Sequence, residues 1–477
     1  MQTTNKIRGI IAAVSGAILF GTAIPAMADA TDDIIQALIG KGVLTEEEGA
    51  LLMKGRAGEK EVAAAKKKDE VKVSLKDGVK FESADKETSI KLIGRVQGDY
   101  RNFDHSESDA DLINGGGATG SDTFDMRRAR LGFEGTFKKY YQFKVQSDMA
   151  AANKLDEAYL NIAWWKPVQF RFGQFKMPAM LEEMTSSNNI DFMERTMANG
   201  GVAGKERGAM VHGAPLPGMT YALAFSTGEG QNNAEDDIRV DGIDTLARVT
   251  ANFAEMMGNK DMVLHAGLMY STTDLDQANT SIGYDASTEG KGVKFFDAKT
   301  IAGIANDTEV ERDRTGVEGA VAYGPFKVQA EWSKVGYDFD GAGTAAADDS
   351  LDIDTWYAQA IWNITGEPWA KMYKGGAWSG MKPSKDFNPD GSAWGAWQVG
   401  IRYSKFDADE GFADTGSVGF LEADAWTLGL NFYPNANTRI MLNYVRSNFE
   451  EHDSDVTVNG RAVDDERALM TRVQWAF

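Results

Sequence analysis

The feature that most constrains this chain is a side-chain alternation with a period of two, which begins at Ile90 and continues to the last residue. Successive side chains of a β-strand point to opposite faces, so each alternating segment is predicted to be a strand with one apolar and one polar face. We count sixteen such segments, which begin near Ile90, Phe124, Tyr141, Leu155, Val168, Arg207, Met219, Thr245, Met262, Arg314, Phe326, Asp354, Ala396, Ala425, Thr438 and Arg467.

The connections between these segments alternate in length. Those after even-numbered segments are mostly tight, such as Lys166-Pro167 and Gly324-Pro325, whereas those after odd-numbered segments are mostly long and polar. A soluble β-sandwich also has period-two strands, but it has no reason to collect its short turns on one side. An even number of strands with short turns at one end and long loops at the other is typical of a transmembrane β-barrel, and this all-β fold class is our prediction.

The aromatic residues support a barrel in a membrane. Tryptophan recurs near the predicted strand ends, where amphipathic rings form belts at the two membrane interfaces. The final strand ends on Phe477, which shares a face with Val473 and Trp475 and is similar to the signal that the outer-membrane assembly machinery reads. The tryptophans concerned are Trp164, Trp165, Trp332, Trp356, Trp362, Trp397, Trp426 and Trp475.

The first 28 residues have the pattern of a cleavable secretory signal peptide. Lys6 and Arg8 precede an apolar run over residues 9–20, and Ala26-Met27-Ala28 supplies small residues for cleavage before Asp29. We therefore expect export to the bacterial outer membrane. The chain contains no cysteine, which excludes thiol chemistry, iron–sulfur clusters and covalent haem attachment, and no cofactor is expected.

Residues 29–70 are predicted to form a separate periplasmic segment that is helical and amphipathic. Ile34, Ile35, Leu38 and Ile39 form an apolar stripe, and Thr45 with Glu48 forms a capping box. The segment is either a short coiled coil that promotes oligomerisation or a linker, and the sequence leaves both open. The barrel is then expected to occupy residues 71–477.

The charges are distributed unevenly. The net charge is −21, which argues against nucleic acid as a partner, but the polar faces of the predicted strands carry more cations than acids. The cations are Lys91, Arg95, Arg101, Arg128, Arg130, Lys144, Arg171, Arg248, Arg314, Lys327, Arg402 and Arg472, and the acids are Asp99, Glu134, Asp148, Glu157, Glu318 and Glu331. The lumen is therefore predicted to be positive.

Acidic residues concentrate instead in the long connections, where we expect a solvated surface or a contact with outer-membrane lipid and lipopolysaccharide through divalent cations. No run among them matches a calcium-binding loop, so no metal site is expected. They are Asp104, Glu107, Asp109, Asp111, Glu235, Asp236, Asp237, Asp348, Asp349, Asp407, Asp409, Glu410, Glu450, Glu451, Asp453 and Asp455.

Several motifs, in their order along the chain, resemble the phosphate-selective porins O and P. They are GVLTEEE (Gly42–Glu48), GRVQGDY (Gly94–Tyr100), RRARLGFEG (Arg127–Gly135), DEAYLNI (Asp156–Ile162), FRFGQFKMP (Phe170–Pro178), FMER (Phe192–Arg195), TGEPW and the stretch from Tyr373 to Pro383. The resemblance implies a homotrimer of sixteen-stranded barrels, in which loops fold inward and basic residues lead phosphate-like anions to a constriction.

Two long connections are expected to fold into the barrel, near residues 176–207 and 366–395, the second because of the resemblance. They add Lys176, Arg195 and Lys374 to the basic residues of the strands. The candidate pore-lining and anion-binding residues combine these three with most of the strand cations. They are Arg95, Arg101, Arg128, Arg130, Lys144, Arg171, Lys176, Arg195, Arg248, Arg314, Lys327, Lys374, Arg402 and Arg472. The sequence departs from the family in lacking a dense arginine ladder in its loops and in its acidic outer vestibule.

The sequence thus predicts an outer-membrane diffusion channel for small polar solutes that prefers anions, with phosphate-like anions as the solute that the family implies. The alternative is a non-selective or organic-solute porin whose lumen charges balance. An outer-membrane enzyme is disfavoured because none of the four histidines, His105, His212, His265 and His452, lies beside a convincing nucleophile. A sleeve for an electron-conducting protein has no redox motif to support it.

Overall fold

The computed structural model describes residues 30–55, 71–75, 78–105, 122–151, 154–228, 230–231, 243–275, 284–298, 309–340, 349–409, 419–452, 457–458, 461–462 and 465–477. Its main sheet contains sixteen long strands: β1 (Ser89–His105), β2 (Thr123–Phe137), β3 (Tyr141–Asp148), β4 (Leu155–Trp165), β5 (Val168–Lys176), β6 (Lys205–Gly213), β7 (Met219–Ser226), β8 (Asp244–Asn252), β9 (Met262–Leu275), β10 (Glu309–Tyr323), β11 (Phe326–Asp340), β12 (Asp349–Asn363), β13 (Ala396–Ala408), β14 (Phe420–Asn435), β15 (Thr438–His452) and β16 (Asp465–Ala476).

Each strand pairs antiparallel with the next, and the last strand pairs with the first. The pairing of β16 with β1 runs from Glu466 opposite His105 to Ala476 opposite Arg95. The sheet is therefore a closed barrel without free edges, as an all-β structure in lipid requires. The predicted fold class is confirmed, and every predicted strand start lies within five residues of the observed one.

The two ends of the barrel differ in their connections. At the end that we call the turn end, residues 138–140, 166–167, 324–325 and 436–437 join neighbouring strands directly. Most connections at the opposite end, the loop end, are longer, although residues 149–154 are an exception. Two short strands, Val71–Ser74 and Lys80–Ser83, extend the sheet beside β1 at the turn end.

The outer face of the barrel carries two levels of aromatic side chains. Three adjacent strands each place two aromatic residues six positions apart, which corresponds to about 20 Å along a strand. The rings at each level contact one another. The ring centre of Tyr403 lies 5.4 Å from that of Trp356 and 4.8 Å from that of Trp426, and the ring centres of Trp397 and Phe432 lie 4.5 Å apart. This arrangement agrees with the aromatic belts expected at two membrane interfaces.

Three connections pack against the inner wall, and we name them here. The third loop comprises residues 177–204, the fifth loop is described over residues 284–298, and the turn-end insert comprises residues 364–395. Where they pack, the inner face of β11 to β15 includes buried apolar residues such as Tyr337, Phe406 and Met441 among buried polar residues such as Gln329 and Arg402. The predicted polar inner face is therefore interrupted by apolar residues in this part of the wall, where loops cover it.

Residues 1–71 form a second compact unit, separate from residues 72–477. It contains helix α1 (Ala30–Gly40) and a second helical stretch over residues 46–55. The capping box is confirmed, since Glu48 N donates to Thr45 Oγ1 at 3.2 Å and Thr45 N donates to the Glu48 carboxylate at 2.9 Å. None of the helices described is long and apolar enough to span a bilayer. The predicted signal peptide, residues 1–28, lies outside the described residues.

Candidate functional site

Strands β1, β2 and β16 bring cations from distant parts of the chain together on one stretch of the inner wall. In register, Arg472 of β16 lies opposite Asp99 of β1, and Arg128 of β2 lies opposite Gln97 of β1. A β-bulge in β2 interrupts the alternation between Arg128 and Met126, so that Arg127 also reaches the lumen. We call Arg101, Arg127, Arg128, Arg472 and Lys291 of the fifth loop the basic cluster.

One carboxylate of the third loop, Glu194, lies at the centre of the basic cluster. Its Oε1 accepts hydrogen bonds from Arg101 at 3.1 Å, Arg127 at 2.8 Å and Arg472 at 2.7 Å. Asp99 accepts from Arg472 at 2.6 Å and from Arg101 at 2.9 Å. Three guanidinium groups thus share two carboxylates, and these charge-assisted bonds fix the third loop to the wall.

Burial on its own raises the pKa of Glu194, but the positive charges of Arg127, Arg472 and Arg128 outweigh it and hold the pKa well below the usual carboxyl value. Glu194 is therefore anionic at neutral pH. Its charge is nevertheless hidden, because only 4% of its side chain and none of that of Asp99 is exposed, against 29% of Arg127.

Two members of the basic cluster have no carboxylate partner among the residues that the structure describes. Arg128 donates to the amide oxygen of Gln97 at 2.9 Å and lies within electrostatic range of Arg127, Arg130 and Arg472. Lys291 is exposed and is the last residue of a turn, in which its backbone N–H donates to the carbonyl of Thr288. Both therefore add positive charge that no nearby acid in the described residues neutralises by a direct contact.

A cavity of about 340 Å³ lies nearer the turn end, between the wall and residues 186–189 of the third loop. Arg95 lines it and donates to Ser187 Oγ at 2.6 Å. Arg439 also lines it and donates to the carbonyls of Ile190 at 2.6 Å and Asp191 at 2.9 Å. Its other cationic residues are Lys91, Lys144 and Lys382, and the acid Glu134 also lines it. The cavity continues the positive wall that begins at the basic cluster.

Most of the other predicted cations are already paired. Arg248 donates to Glu318 at 2.6 Å, Arg314 to Asp244 at 2.9 Å and Arg402 to Glu289 at 2.5 Å. The remaining pairs are Arg130 with Asp148 and Asp156, Lys144 with Glu157, Lys176 and Arg195 with Glu183, and Lys327 with Asp191. Arg171 is stacked on Tyr159, and Lys374 is exposed on the turn-end insert.

The set of lumen charges predicted from the sequence is therefore incomplete. It omitted acids in loops or at irregular strand positions, namely Asp156, Glu182, Glu183, Asp191, Glu194, Asp244 and Glu289, which bind the predicted cations. It also omitted Arg127, Lys291 and Arg439. The adjacent arginines at 127 and 128 are the one signal that a bulge could have been considered, whereas nothing in the sequence places Lys291 in the lumen.

Many of the acids predicted for the outer loops lie outside the described residues. These are Glu107, Asp109, Asp111, Glu235, Asp236, Asp237, Asp348, Glu410, Asp453 and Asp455.

A family model described as phosphate-selective porin O and P matches residues 90–477, which include all sixteen strands except the first residue of β1. The chain belongs to this family. It is 30% identical to Porin O of Pseudomonas aeruginosa over 449 residues, which cover 86% of this chain and 93% of that protein. It is accordingly an outer-membrane porin, a β-barrel that crosses the membrane many times.

Solved structures have a similar fold at low sequence identity. The outer membrane channel DcaP of Acinetobacter baumannii is 14% identical, with a TM-score of 0.50 over 84% of this chain and 100% of that chain. An anion-selective porin from Comamonas acidovorans is 12% identical, with a TM-score of 0.49 over 82% of this chain and 100% of that chain.

Proposed function

We propose that this porin is an anion-preferring diffusion channel, in which solutes pass along the wall formed by β1, β2 and β16. The observation that carries the proposal is the unequal exposure of the two signs of charge. Arg127 and Lys291 are accessible to water, whereas Asp99 and Glu194 are hidden beneath guanidinium groups. An anion in the lumen therefore meets cations at close range, and the acids act mainly through their effect on the arginines.

Several cationic groups succeed one another along this wall. On β1 alone, Lys91, Arg95 and Arg101 face inward at intervals of four and six residues, about 13 and 20 Å along the strand. Steps of this kind suit a channel, because each site attracts the ion while none needs to hold it tightly. The name of the family and of Porin O points to phosphate-like anions as solutes, and we include these in the proposal.

The test is the zero-current potential of the purified protein in a planar bilayer with a potassium chloride gradient. The wild type is expected to prefer chloride. Lys291→Gln should lower the chloride-to-potassium permeability ratio by about two- to threefold, since it removes an exposed charge at the wall. Arg128→Gln should act in the same direction, and phosphate added to one side should reduce the chloride current.

Arg446→Gln is the matched control. Arg446 is exposed and lies opposite Trp426 on the outer face of the barrel, so its loss should leave the ratio unchanged. A preference for potassium in the wild type, or equal ratios for the wild type and Lys291→Gln, would contradict the proposal and favour the non-selective alternative.

We also propose the features that the sequence predicts around this channel. Residues 1–28 act as a cleaved export signal, residues 29–70 form a periplasmic helical segment, and the porin assembles as a homotrimer in contact with outer-membrane lipid and lipopolysaccharide. The protein acts as a passive channel rather than an enzyme. In support, His212 and His265 are engaged with Asn161 and with Tyr373 and Glu318 respectively.

A further inference from the structure

A second cavity, which we call the side cavity, lies at the turn end of the lumen on strands β5 to β8. Its volume is about 290 Å³. It borders a different part of the third loop from the first cavity: Pro178 and Met184 face the side cavity, whereas residues 186–189 face the other. The two spaces therefore differ in the residues that surround them, and a solute in one meets different chemistry from a solute in the other.

Arg171 is the basic residue of the side cavity whose charge is not neutralised by a contact. Its guanidinium carbon lies 4.5 Å from the ring centre of Tyr159 and 5.7 Å from that of Phe175. No carboxylate among the described residues pairs with it, and its Nε is buried without a hydrogen-bond partner. By contrast, Arg248, which also lines the cavity, is bound to Glu318.

The fixed guanidinium suits a planar carboxylate. One face of the group is covered by an aromatic ring, so ligands reach it at its edge, where parallel N–H donors match the two oxygens of a carboxylate. The side chains of Met184 and Met210 and the ring of Pro178 line the same space. Methionine adapts its shape to a hydrocarbon body, which inorganic phosphate does not offer.

His212 adds a hydrogen-bond acceptor to the lining of the side cavity. Asn161 donates from its amide nitrogen to Gln142 and Gln169, so its oxygen accepts from His212 Nε2 at 2.7 Å. This assigns the proton to Nε2 and leaves Nδ1 as an acceptor. An acceptor in the lining can take a hydrogen bond from a hydroxyl group of an organic acid.

From this combination we propose that the side cavity binds a small organic carboxylate with an apolar body, held through its carboxylate by Arg171. The volume is near the lower end of the range for small-molecule sites, about 300 Å³ and above, which limits the ligand to a single small ring or a short chain. This binding site is independent of the anion preference assigned to the wall of β1, β2 and β16.

The experiment is a titration of the purified full-length protein in detergent with benzoate, followed calorimetrically. The wild type and Arg446→Gln, the matched control, should bind benzoate saturably. Arg171→Gln should weaken binding about tenfold or more, since it removes the charged donor. Met210→Trp, which keeps the charge but fills the cavity, should weaken it as well. Inorganic phosphate at the same concentration should not displace benzoate.

Three results would overturn the proposal: no saturable benzoate binding to the wild type, equal binding by Arg171→Gln and Arg446→Gln, or loss of benzoate binding when inorganic phosphate is present at the same concentration. The chloride-to-potassium permeability ratio of Met210→Trp should remain near that of the wild type, since this substitution fills the side cavity without changing any charge. A failure of the side cavity as a binding site is therefore distinguishable from a failure of the proposed anion channel.

Discussion

At the scale of single residues, Glu194 has two opposing effects on an anion channel. Its negative charge offsets part of the basic cluster, yet its hydrogen bonds to Arg101, Arg127 and Arg472 hold those cations in place. A positive cluster without an internal carboxylate would repel itself, because like charges a few ångströms apart in a poorly solvated site are costly. The acid therefore stabilises a local excess of positive charge.

Glu194→Gln should make the channel more anion-selective at neutral pH. The substitution removes one hidden negative charge and keeps an oxygen that accepts hydrogen bonds, so we expect the chloride-to-potassium permeability ratio to rise about twofold or more. The measurement is the zero-current potential at pH 7. A ratio equal to or below that of the wild type would show that the geometry held by Glu194 matters more than its charge.

The pH dependence of this difference follows from the lowered pKa of Glu194. A carboxyl group with a depressed pKa in the folded protein keeps its charge above its ordinary pKa and loses it only as the pH falls through the lower folded value. The difference between the wild type and Glu194→Gln should thus be the same at pH 7 and at pH 4.5, the ordinary value for a glutamate. It should shrink only in more acidic solution.

At the scale of elements, the strands follow from the sequence and the contents of the lumen do not. Alternation is a local property, so each strand could be placed from about ten neighbouring residues. The pairing of Glu194 with Arg472 joins residues 278 positions apart, and no local pattern encodes it. Strict alternation would turn Arg127 away from the lumen, but the bulge turns it inward. The extra residue of the bulge is also specified by tertiary contacts, so no local pattern predicts it.

Two tryptophans of the turn-end insert contact the wall at Lys327. Trp378 donates from its indole nitrogen to Gln329 at 2.7 Å, and its ring centre lies 4.6 Å from the ammonium of Lys327. Trp369 covers the same ammonium at 3.8 Å. Cation–π contacts with a desolvated ammonium are worth about 2 kcal/mol each, so this region is expected to anchor the insert.

Trp378→Ala should loosen the turn-end insert. Truncation of a buried tryptophan costs about 3–5 kcal/mol, and this one also removes the contacts of Trp378 with Gln329 and Lys327. We expect larger and noisier single-channel currents and faster cleavage by trypsin at the exposed Lys374 and Lys382. Trp394→Ala is the control, since Trp394 belongs to the same insert but is 70% exposed. Identical currents and cleavage rates in the two variants would refute the anchoring role.

At the scale of the whole molecule, a chain with a net charge of −21 has a positive wall inside its barrel. The two facts are compatible because the acids and bases occupy different environments. Exposed acids such as Asp104, Asp409 and Glu450 lie near the loop end, where water and salt screen them. The net charge of the chain is therefore a poor guide to the selectivity of its pore, which depends on the few charges that a solute approaches within a screening length.

Closure of the barrel depends on the contact between the first and last strands, and Gly94 is the residue at which we expect it to be most sensitive. The backbone of Gly94 exchanges two hydrogen bonds of 3.0 Å with that of Phe477. A Cβ atom at position 94 would lie 2.4 Å from the Phe477 ring and 3.2 Å from the carbonyl of Arg130, whereas one at Gly98 of the same strand would have 3.9 Å to its nearest neighbour. Gly94→Val should therefore displace the terminal aromatic residue, and the crowding should cost about 1–3 kcal/mol. We expect the temperature at which the folded band disappears on a denaturing gel to fall by about 5 °C, with Gly98→Val close to the wild type. If the two variants melt together, the seam tolerates the loss of the terminal contact, and the hydrogen bonds between β16 and β1 suffice to close the barrel.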